Sequence, residues 1–429
     1  MKRFKLTQAL LFAMALVLFT TPGHARVYYD ITATSFKKVT IGVPPFKGEA
    51  ADRLRSDTTD LLNKDLDLSG FFITTPQSLM DKELTDEGVE KASIKFGNWR
   101  SIGIELLCKA RLQEKDGDLA IEAYLYDTLD GSLMLAKRYR TRTDEWRRAV
   151  HRLADDIMLA VTGEKGINSS RVVFVSGTRN RKDIYISDID GTNTKSLTNF
   201  RSITLSPSVS PNGRYLAYTS YKEGKPNLFV MDLDQHKEVY ADRDEGMKTG
   251  TAWTGKATLL YTHTAGRYST IYSLDVEKKE RKVIQRNEGI SASPSFSPEG
   301  TKMVFVSDMH GSPQIYLKDL VSGNTNRLTF SGTYNSAPVF SPKGDTIAFV
   351  ARFEGAFEIC LMNADGSNQR VLTSGGLNDS PQFSPCGRYI IYSSNKGGKQ
   401  NIYVMLFNGE NKRLLKFTEG EESQPKFVP

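Results

Sequence analysis

The sequence predicts a two-domain protein: an N-terminal α/β domain followed by an all-β six-bladed β-propeller whose last blade is closed by the C-terminal strand. Three observations predict this. The chain has 429 residues, which is more than one ordinary domain needs. A short motif recurs six times in the C-terminal part of the chain, and the region before it instead shows apolar residues at helical spacing.

The recurring motif sets the fold of the C-terminal part. Successive copies are 43 or 44 residues apart. A period of about 40 to 45 residues made of short strands and turns is typical of a propeller with four strands per blade. The copies are PSVSPNG (207–213), TAWTGKA (251–257), PSFSPEG (294–300), PVFSPKG (338–344), PQFSPCG (381–387) and PKFVP (425–429).

One repeat shows the four strands, which we call A to D from the inside of the ring outwards. Ser297-Pro298-Glu299-Gly300 suits a type I turn between A and B. Alternating apolar residues then predict strand B. The predicted strands are A at 294–297, B at 302–307, C at 314–319 and D at 326–329. A proline at the start of A fits an inner edge strand, which can spare one backbone donor. TAWTGKA lacks both prolines, so its A to B turn must be built differently.

The first and the last units of the repeat are both incomplete, and each lacks the strands that the other has. The first unit has strands B, C and D at 172–176, 183–188 and 195–198 but no A, whereas the last unit ends after A. If the last strand joins the first three, a sixth blade is completed and the ring closes. Closure removes exposed sheet edges.

The preceding region predicts a small α/β domain. A strand at 38–43 is followed by a helix at 51–66 that carries Leu54, Thr58, Leu61 and Leu62 on one face. Asp130-Gly131 joins strands at 119–126 and 133–139. A long helix then begins with Thr143 as its cap and ends at Gly163. We place this domain at 26–165 and the propeller at 166–429.

The first 25 residues resemble a secretory signal peptide. Lys2, Arg3 and Lys5 form a positive region, residues 9–19 are apolar, and Gly23-His24-Ala25 is a small-residue cleavage site. The apolar stretch is shorter than the about 20 residues that cross a bilayer, so we expect export and cleavage rather than membrane insertion. The mature chain would begin at Arg26.

Composition argues against several classes of function. The net charge is +7, three of those charges lie in the first five residues, and no basic stripe suggests a nucleic-acid partner. Cys108, Cys360 and Cys386 form no C-x-x-C pair, so they are expected to be buried or incidental thiols. The histidines are scattered singly, so we expect no metal site and no cofactor.

No catalytic motif is found. The sequence has no G-x-S-x-G elbow, Walker motif or strand-linked G-x-G-x-x-G. A propeller lactonase would need several inner-strand carboxylates, because calcium takes 6 to 8 oxygen ligands. The nearest acids, Asp379, Glu421 and Glu422, are expected in loops before the A strands. We therefore expect no enzyme; a periplasmic propeller hydrolase of the lactonase kind, or a sugar-binding module, remains the alternative.

Taken together, the signal peptide, the α/β domain, the junction AVTGEKGI (160–167) and the P-x-F-S-P-x-G blades resemble the TolB family of the Tol-Pal system of Gram-negative bacteria. The resemblance implies a non-enzymatic, monomeric protein of the periplasm. Such a protein binds the Pal lipoprotein through one propeller face and TolA through its mature N-terminal segment. It thereby serves outer-membrane integrity and envelope constriction during cell division.

The resemblance also implies where these partners bind. The TolA-binding segment would be Arg26, Val27, Tyr28, Tyr29, Asp30 and Ile31, which could equally be a loose terminus or an edge strand. The Pal-binding face would combine the loops that enter the A strands with the B to C loops. The family often has a histidine where this chain has Met247. The entering loops supply Met247, Lys248, Thr249, Ser291, Ala292, Asn335, Ser336, Asn378, Asp379, Glu422 and Ser423, and the B to C loops supply Tyr221, Arg267, His310 and Phe353.

Overall fold

The computed structural model describes residues 37–428, which form an α/β domain followed by a ring of six sheets. The α/β domain contains one sheet, four α-helices and three short 3-10 turns at Gln77–Leu79, Lys91–Ser93 and Thr143–Glu145. Its strands are β1 (Val39–Gly42), β2 (Lys47–Gly48), β3 (Phe72–Thr74), β4 (Leu106–Lys115), β5 (Asp118–Asp127) and β6 (Leu133–Arg142). Its helices are α1 (Asp52–Leu68), α2 (Lys82–Asp86), α3 (Phe96–Ser101) and α4 (Trp146–Thr162).

The sheet of this domain is mixed and is covered on both faces. Its order is β3-β1-β4-β5-β6, with β2 also pairing with β4. β1 runs parallel to β3 and β4, whereas β4, β5 and β6 are antiparallel neighbours. α1 and α4 pack their apolar stripes on one face. Trp99 of α3 anchors a smaller cluster with Leu107 and Tyr126 on the other.

The long helices of this domain lie close to where the sequence predicts them. Thr58, Leu61 and Leu62 of α1 are buried, and Leu54 packs against the same core. α4 ends at Gly163, whose φ of 78° is the left-handed conformation that favours glycine. The prediction of Thr143 as its cap is wrong, because a 3-10 turn intervenes and the buried Thr143 hydroxyl has no hydrogen-bond partner.

The propeller has six four-stranded blades, as predicted. We number blades 1 to 5 along the chain and call the closing blade 6. Blade 6 joins β30 (Glu421–Val428) to β7 (Arg171–Gly177), β8 (Lys182–Asp188) and β9 (Lys195–Ser196), with β30 antiparallel to β7. Blade 1 has β10 (Thr204–Val209), β11 (Tyr215–Ser220), β12 (Asn227–Asp232) and β13 (Lys237–Asp242). Blade 2 has β14 (Met247–Thr254), β15 (Thr258–Ala265), β16 (Tyr268–Asp275) and β17 (Glu280–Glu288). Blade 3 has β18 (Ser291–Phe296), β19 (Lys302–Ser307), β20 (Gln314–Asp319) and β21 (Thr325–Arg327). Blade 4 has β22 (Asn335–Phe340), β23 (Thr346–Phe353), β24 (Ala356–Asn363) and β25 (Arg370–Val371). Blade 5 has β26 (Asn378–Phe383), β27 (Tyr389–Ser394), β28 (Asn401–Leu406) and β29 (Arg413–Leu415).

Each inner strand begins earlier than predicted and contains a bulge. In blade 3 the pairing of β18 with β19 shifts between Ala292 and Ser295, and Ser293 has a φ of 52° directly before Pro294. Proline therefore lies inside the strand, where the bulge removes the need for its missing donor. All six inner strands repeat this register shift.

The B to C connections differ between neighbouring blades. In blades 2 and 4, B and C remain paired up to two-residue turns at 266–267 and 354–355. In blades 1, 3 and 5, the pairing ends two residues sooner and the chain folds into a turn. The A to B turn of blade 2 is also distinct, as predicted, because Gly255 begins a three-residue connection between Thr254 and Thr258.

The α/β domain packs on one rim of the propeller, the rim formed by the A to B and C to D turns. Glu164 follows α4 and accepts hydrogen bonds from Lys343 at 2.9 Å and Arg388 at 2.8 Å, in the A to B turns of blades 4 and 5. Tyr389 donates its hydroxyl to the Ser69 carbonyl at 3.0 Å. The opposite rim is formed by the B to C and D to A connections, and we call it the distal rim.

Candidate functional site

The residues that the sequence predicts for docking lie at the distal rim or just inside it. Those assigned to entering loops belong to the inner strands themselves, because these strands begin at Met247, Ser291, Asn335, Asn378 and Glu421. Side chains alternate between the two faces of a strand, so adjacent predicted residues have different environments. The predicted set therefore divides into buried, inner-edge and exposed groups.

The buried group is a correction to the predicted docking face. Its members share a polar side chain at the start of an inner strand, and they are Lys248, Ser291, Asn335, Asn378 and Glu422. Asn378, for example, donates hydrogen bonds to Glu358 Oε2 at 3.0 Å and to the Phe357 carbonyl at 3.0 Å. These side chains are buried inside the blade and offer no surface to a partner.

A repeated polar staple explains why these positions are polar. In blade 3, Thr329 donates to Gln314 Oε1 at 2.7 Å, Asn335 donates to the same oxygen at 2.8 Å, and the Ile315 amide donates to Thr329 Oγ1. Blade 4 repeats the arrangement with Thr373, Glu358 and Asn378. In these two blades the staple ties the D to A connection to strand C. In the sequence, the pattern that could have predicted this staple is the recurrent Leu-Thr at the end of strand D.

The junction between blades 1 and 2 carries the one group of metal-ligand side chains found among residues 37–428. Ligand atoms of Asp242, Asp244 and His263 lie within 4.8 Å of one another. The two carboxylates already accept hydrogen bonds from Arg281, at 3.0 Å and 2.6 Å. The buried ammonium of Lys248 lies 4.0 Å from Asp242 Oδ1 and donates to the Asp244 and Gly246 carbonyls. Both carboxylates are thus already paired with cations of the protein itself.

The inner-edge group lies at the mouth of the central bore and is partly exposed. It consists of Thr249, Ala292, Ser336, Asp379 and Ser423. The Asp379 side chain is exposed, but the inner strands lie close around its carboxyl group. The partial loss of hydration raises the pKa of that carboxyl group. Its Oδ1 accepts a hydrogen bond from the Ser380 amide at 2.7 Å. Asp379 therefore belongs to the wall of the bore rather than to a loop, which corrects the predicted placement.

The remaining predicted residues are accessible on the distal rim. Met247 is 46% exposed and Phe353 is 37% exposed. Arg267 lies at the B to C turn of blade 2, and Tyr221 follows strand B of blade 1. His310 is exposed, and its Nδ1 lies 2.9 Å from the Tyr316 hydroxyl. These five residues can meet a partner without rearrangement.

An apolar sector over blades 3 and 4 was missed by the sequence analysis, apart from Phe353. It consists of Met309, Phe330, Tyr334, Phe353 and Leu377, all of them exposed large apolar side chains. Phe330 is 73% exposed, and the ring of Tyr334 packs edge-on against that of Phe357 at 5.8 Å. The D to A connections at 328–334 and 372–377 contain no charged residue. Exposed apolar groups clustered on one rim are typical of protein-binding surfaces.

Two other expectations concern the N-terminal segment and membrane insertion. The TolA-binding segment at 26–31 and the signal peptide lie outside the described residues. Within residues 37–428, no helix is both long enough and apolar enough to span a bilayer.

Comparison with known proteins agrees with the architecture. Residues 159–429 match the family model described as the TolB beta propeller domain, and residues 27–134 match the TolB amino-terminal domain. A TolB homolog from Chlorobium luteolum is 34% identical over 327 residues, which cover 75% of this chain and 74% of that protein. The Tol-Pal system protein TolB of Desulfosudis oleivorans is 34% identical over 59% of this chain and 57% of its own length. The crystal structure of TolB from Acinetobacter baumannii superposes with a TM-score of 0.81 at 25% identity, covering 92% of this chain and 97% of that chain. The chain belongs to the TolB family of the Tol-Pal system.

Proposed function

We propose that this protein is a non-enzymatic scaffold of the periplasm that binds Pal through the distal rim and TolA through residues 26–31. In this role it supports outer-membrane integrity and envelope constriction during cell division. The observation that carries the proposal is the apolar sector, which is exposed on the rim opposite the α/β domain. The domain cannot cover that rim, so it is available to a partner.

The apolar sector supplies the kind of residues that anchor protein interfaces. Binding energy is usually concentrated in a few large side chains, aromatic ones above all, surrounded by weaker contacts. Phe330, Tyr334 and Phe353 provide such anchors. Arg267 and Asp379 lie away from this sector, at the rim of blade 2 and at the mouth of the bore, where they can contribute charge to recognition.

Pal binding is tested with Phe330→Asp and Phe353→Asp, separately and together. Each variant places a charge in the apolar sector, so we expect affinity for a soluble form of Pal to fall at least tenfold, measured by isothermal titration calorimetry. Val283→Asp is the matched control, since Val283 is exposed on the outer strand of blade 2, away from the distal rim. Unchanged Pal affinity in the double variant would place the binding surface elsewhere.

TolA binding is tested by deleting residues 26–31 from the mature chain. We expect this deletion to abolish capture of TolA while Pal affinity stays as in the parent protein. Amino-terminal sequencing of the exported protein checks whether the mature chain begins at Arg26 and is recovered from the periplasm. If the deleted protein still captures TolA, the segment is not the TolA site.

A further inference from the structure

The central bore is crossed by one lysine side chain. Lys426 lies on β30, the inner strand of blade 6, and its ammonium donates a hydrogen bond to the Thr251 carbonyl at 2.8 Å. Thr251 belongs to the inner strand of blade 2. Blade 1 lies between blades 6 and 2 in the ring, so the two residues can meet only across the bore. The Lys426 side chain therefore reaches into the channel rather than into a sheet.

This ammonium has no charged partner in the described chain. None of the carboxylates of residues 37–428 forms an ion pair with it. The two buried lysines, Lys109 and Lys248, differ in this respect. The Lys109 ammonium lies 3.3 Å from Glu87 Oε2, and the Lys248 ammonium lies 4.0 Å from Asp242 Oδ1. A lysine ammonium has three N–H donors, and the described residues supply Lys426 with one acceptor. The Lys426 side chain is only partly exposed, and a charge that has lost much of its hydration is costly unless it is paired.

The residues of the wall at this level include hydrogen-bond donors but no negative charge. The equivalent positions of the other inner strands, counted along the repeat, are Ser208, Ala252, Ser295, Val339 and Gln382. Four of these five are small, aliphatic or hydroxyl-bearing, and the fifth is an amide. Desolvation lowers the pKa of Lys426 to about 8, so the amine still carries its proton at neutral pH.

We propose that the bore is a binding site for a small oxyanion, an inorganic phosphate or sulfate or a free carboxylate, held by the Lys426 ammonium. The anion supplies the missing negative charge and accepts the remaining N–H donors of the lysine. Partly exposed hydroxyl and amide groups such as those of Ser295 and Gln382 are able to donate to its other oxygens. The same ammonium repels cations from this level of the channel.

The proposal is tested on the full mature protein by titration with sodium sulfate, sodium phosphate and sodium acetate at constant ionic strength. The readout is the ¹³Cε resonance of labelled lysines, which reports the pKa of Lys426. A bound anion favours the protonated amine, so we expect saturable binding and a rise of about one unit in the pKa of Lys426. A rise of one unit means that the protein binds the anion tenfold more tightly when Lys426 is charged than when it is neutral. Comparing the three salts separates inorganic oxyanions from carboxylates.

Two variants keep the result interpretable. Because both variants lack the Lys426 resonance, their anion binding is compared with that of the parent by isothermal titration calorimetry. Lys426→Met should weaken the binding at least tenfold, whereas Lys426→Arg keeps the charge and should retain it. Lys282→Met, at an exposed position of the outer strand of blade 2, is the matched control and should bind as the parent does. Equal anion binding by Lys426→Met and the parent, or no saturable response of Lys426 in the parent, would overturn the proposal.

Discussion

Lys248 illustrates how a residue that looks like a surface contact in the sequence becomes a structural one in the fold. Its side chain is 0% exposed, and its ammonium donates to two carbonyls of the D to A connection that precedes its own strand. Burial lowers the pKa of this ammonium, while the nearby Asp242 and Asp244 carboxylates oppose that shift. Lys248 therefore fastens the connection between blades 1 and 2.

We expect Lys248→Glu to destabilise the propeller rather than to remove a partner contact. The substitution replaces a buried cation by an anion beside Asp242 and should lower the free energy of unfolding by at least about 3 kcal/mol. Met247→Ser, at the exposed neighbouring position, should leave it nearly unchanged. Urea denaturation of both variants checks this, and a Lys248→Glu protein as stable as the parent would contradict the assignment.

At the scale of the element, the bulged inner strand is the feature that the six blades share. In five of the blades a residue other than glycine has a positive φ immediately before proline: Ser206, Ser293, Ala337, Ser380 and Gln424. In blade 2, Gly250 occupies the equivalent position with a φ of 64°. For a residue with a Cβ atom, this conformation costs about 1 to 2 kcal/mol of free energy.

Ser293 provides a test of this element. Ser293→Val introduces a β-branched side chain at a φ of 52°, so we expect a loss of about 1 to 2 kcal/mol in stability. Ser293→Gly relieves the steric cost and should be neutral or slightly stabilising. Thermal unfolding of the two variants distinguishes these outcomes. Equal destabilisation by both would mean that the Ser293 side chain matters and its backbone conformation does not.

The sequence predicted the middle strands of the blades well and the inner strands poorly, for physical reasons. Strands B and C of blade 3 were predicted at 302–307 and 314–319 and are found there, because their apolar runs are bounded by turn residues. Ser291 and Ser293 have no such pattern. Their place in a strand depends on pairing with Ser307 and on the bulge. The burial of Asn335 depends likewise on Gln314, which is distant in sequence.

At the scale of the whole molecule, His151 joins the two domains. Its Nδ1 lies 2.7 Å from Asp65 Oδ2 in α1, and its Nε2 lies 3.1 Å from Asp190 Oδ2 in the C to D turn of blade 6. Arg147 also donates to Asp190. Burial opposes the charge on the His151 ring, but the hydrogen bonds to Asp190 and Asp65 outweigh it and raise its pKa to about 9.

This geometry predicts a pH-dependent stability. Because the pKa of folded His151 lies above its ordinary value of 6.5, the charged ring contributes fully below pH 6.5, and its contribution disappears as the pH rises through about 9. We expect His151→Gln to cost up to about 3 kcal/mol at low pH and much less above pH 9. Urea denaturation across this range measures it, with His236→Gln, on an exposed turn, as the control. A difference between parent and variant that does not vary with pH would argue against a charged His151.

The alternation of the B to C connections gives the distal rim a serrated profile. The two additional paired residues per strand extend the B to C ladder of blades 2 and 4 by about 7 Å beyond the level at which pairing ends in blades 1, 3 and 5. A rigid, flat protein can rest on the crests alone. A narrow or pliable segment can also descend into the notch over blade 3, where Met309 lies beside the crest that carries Phe353. We therefore expect this rim to favour partners that present a protruding chain.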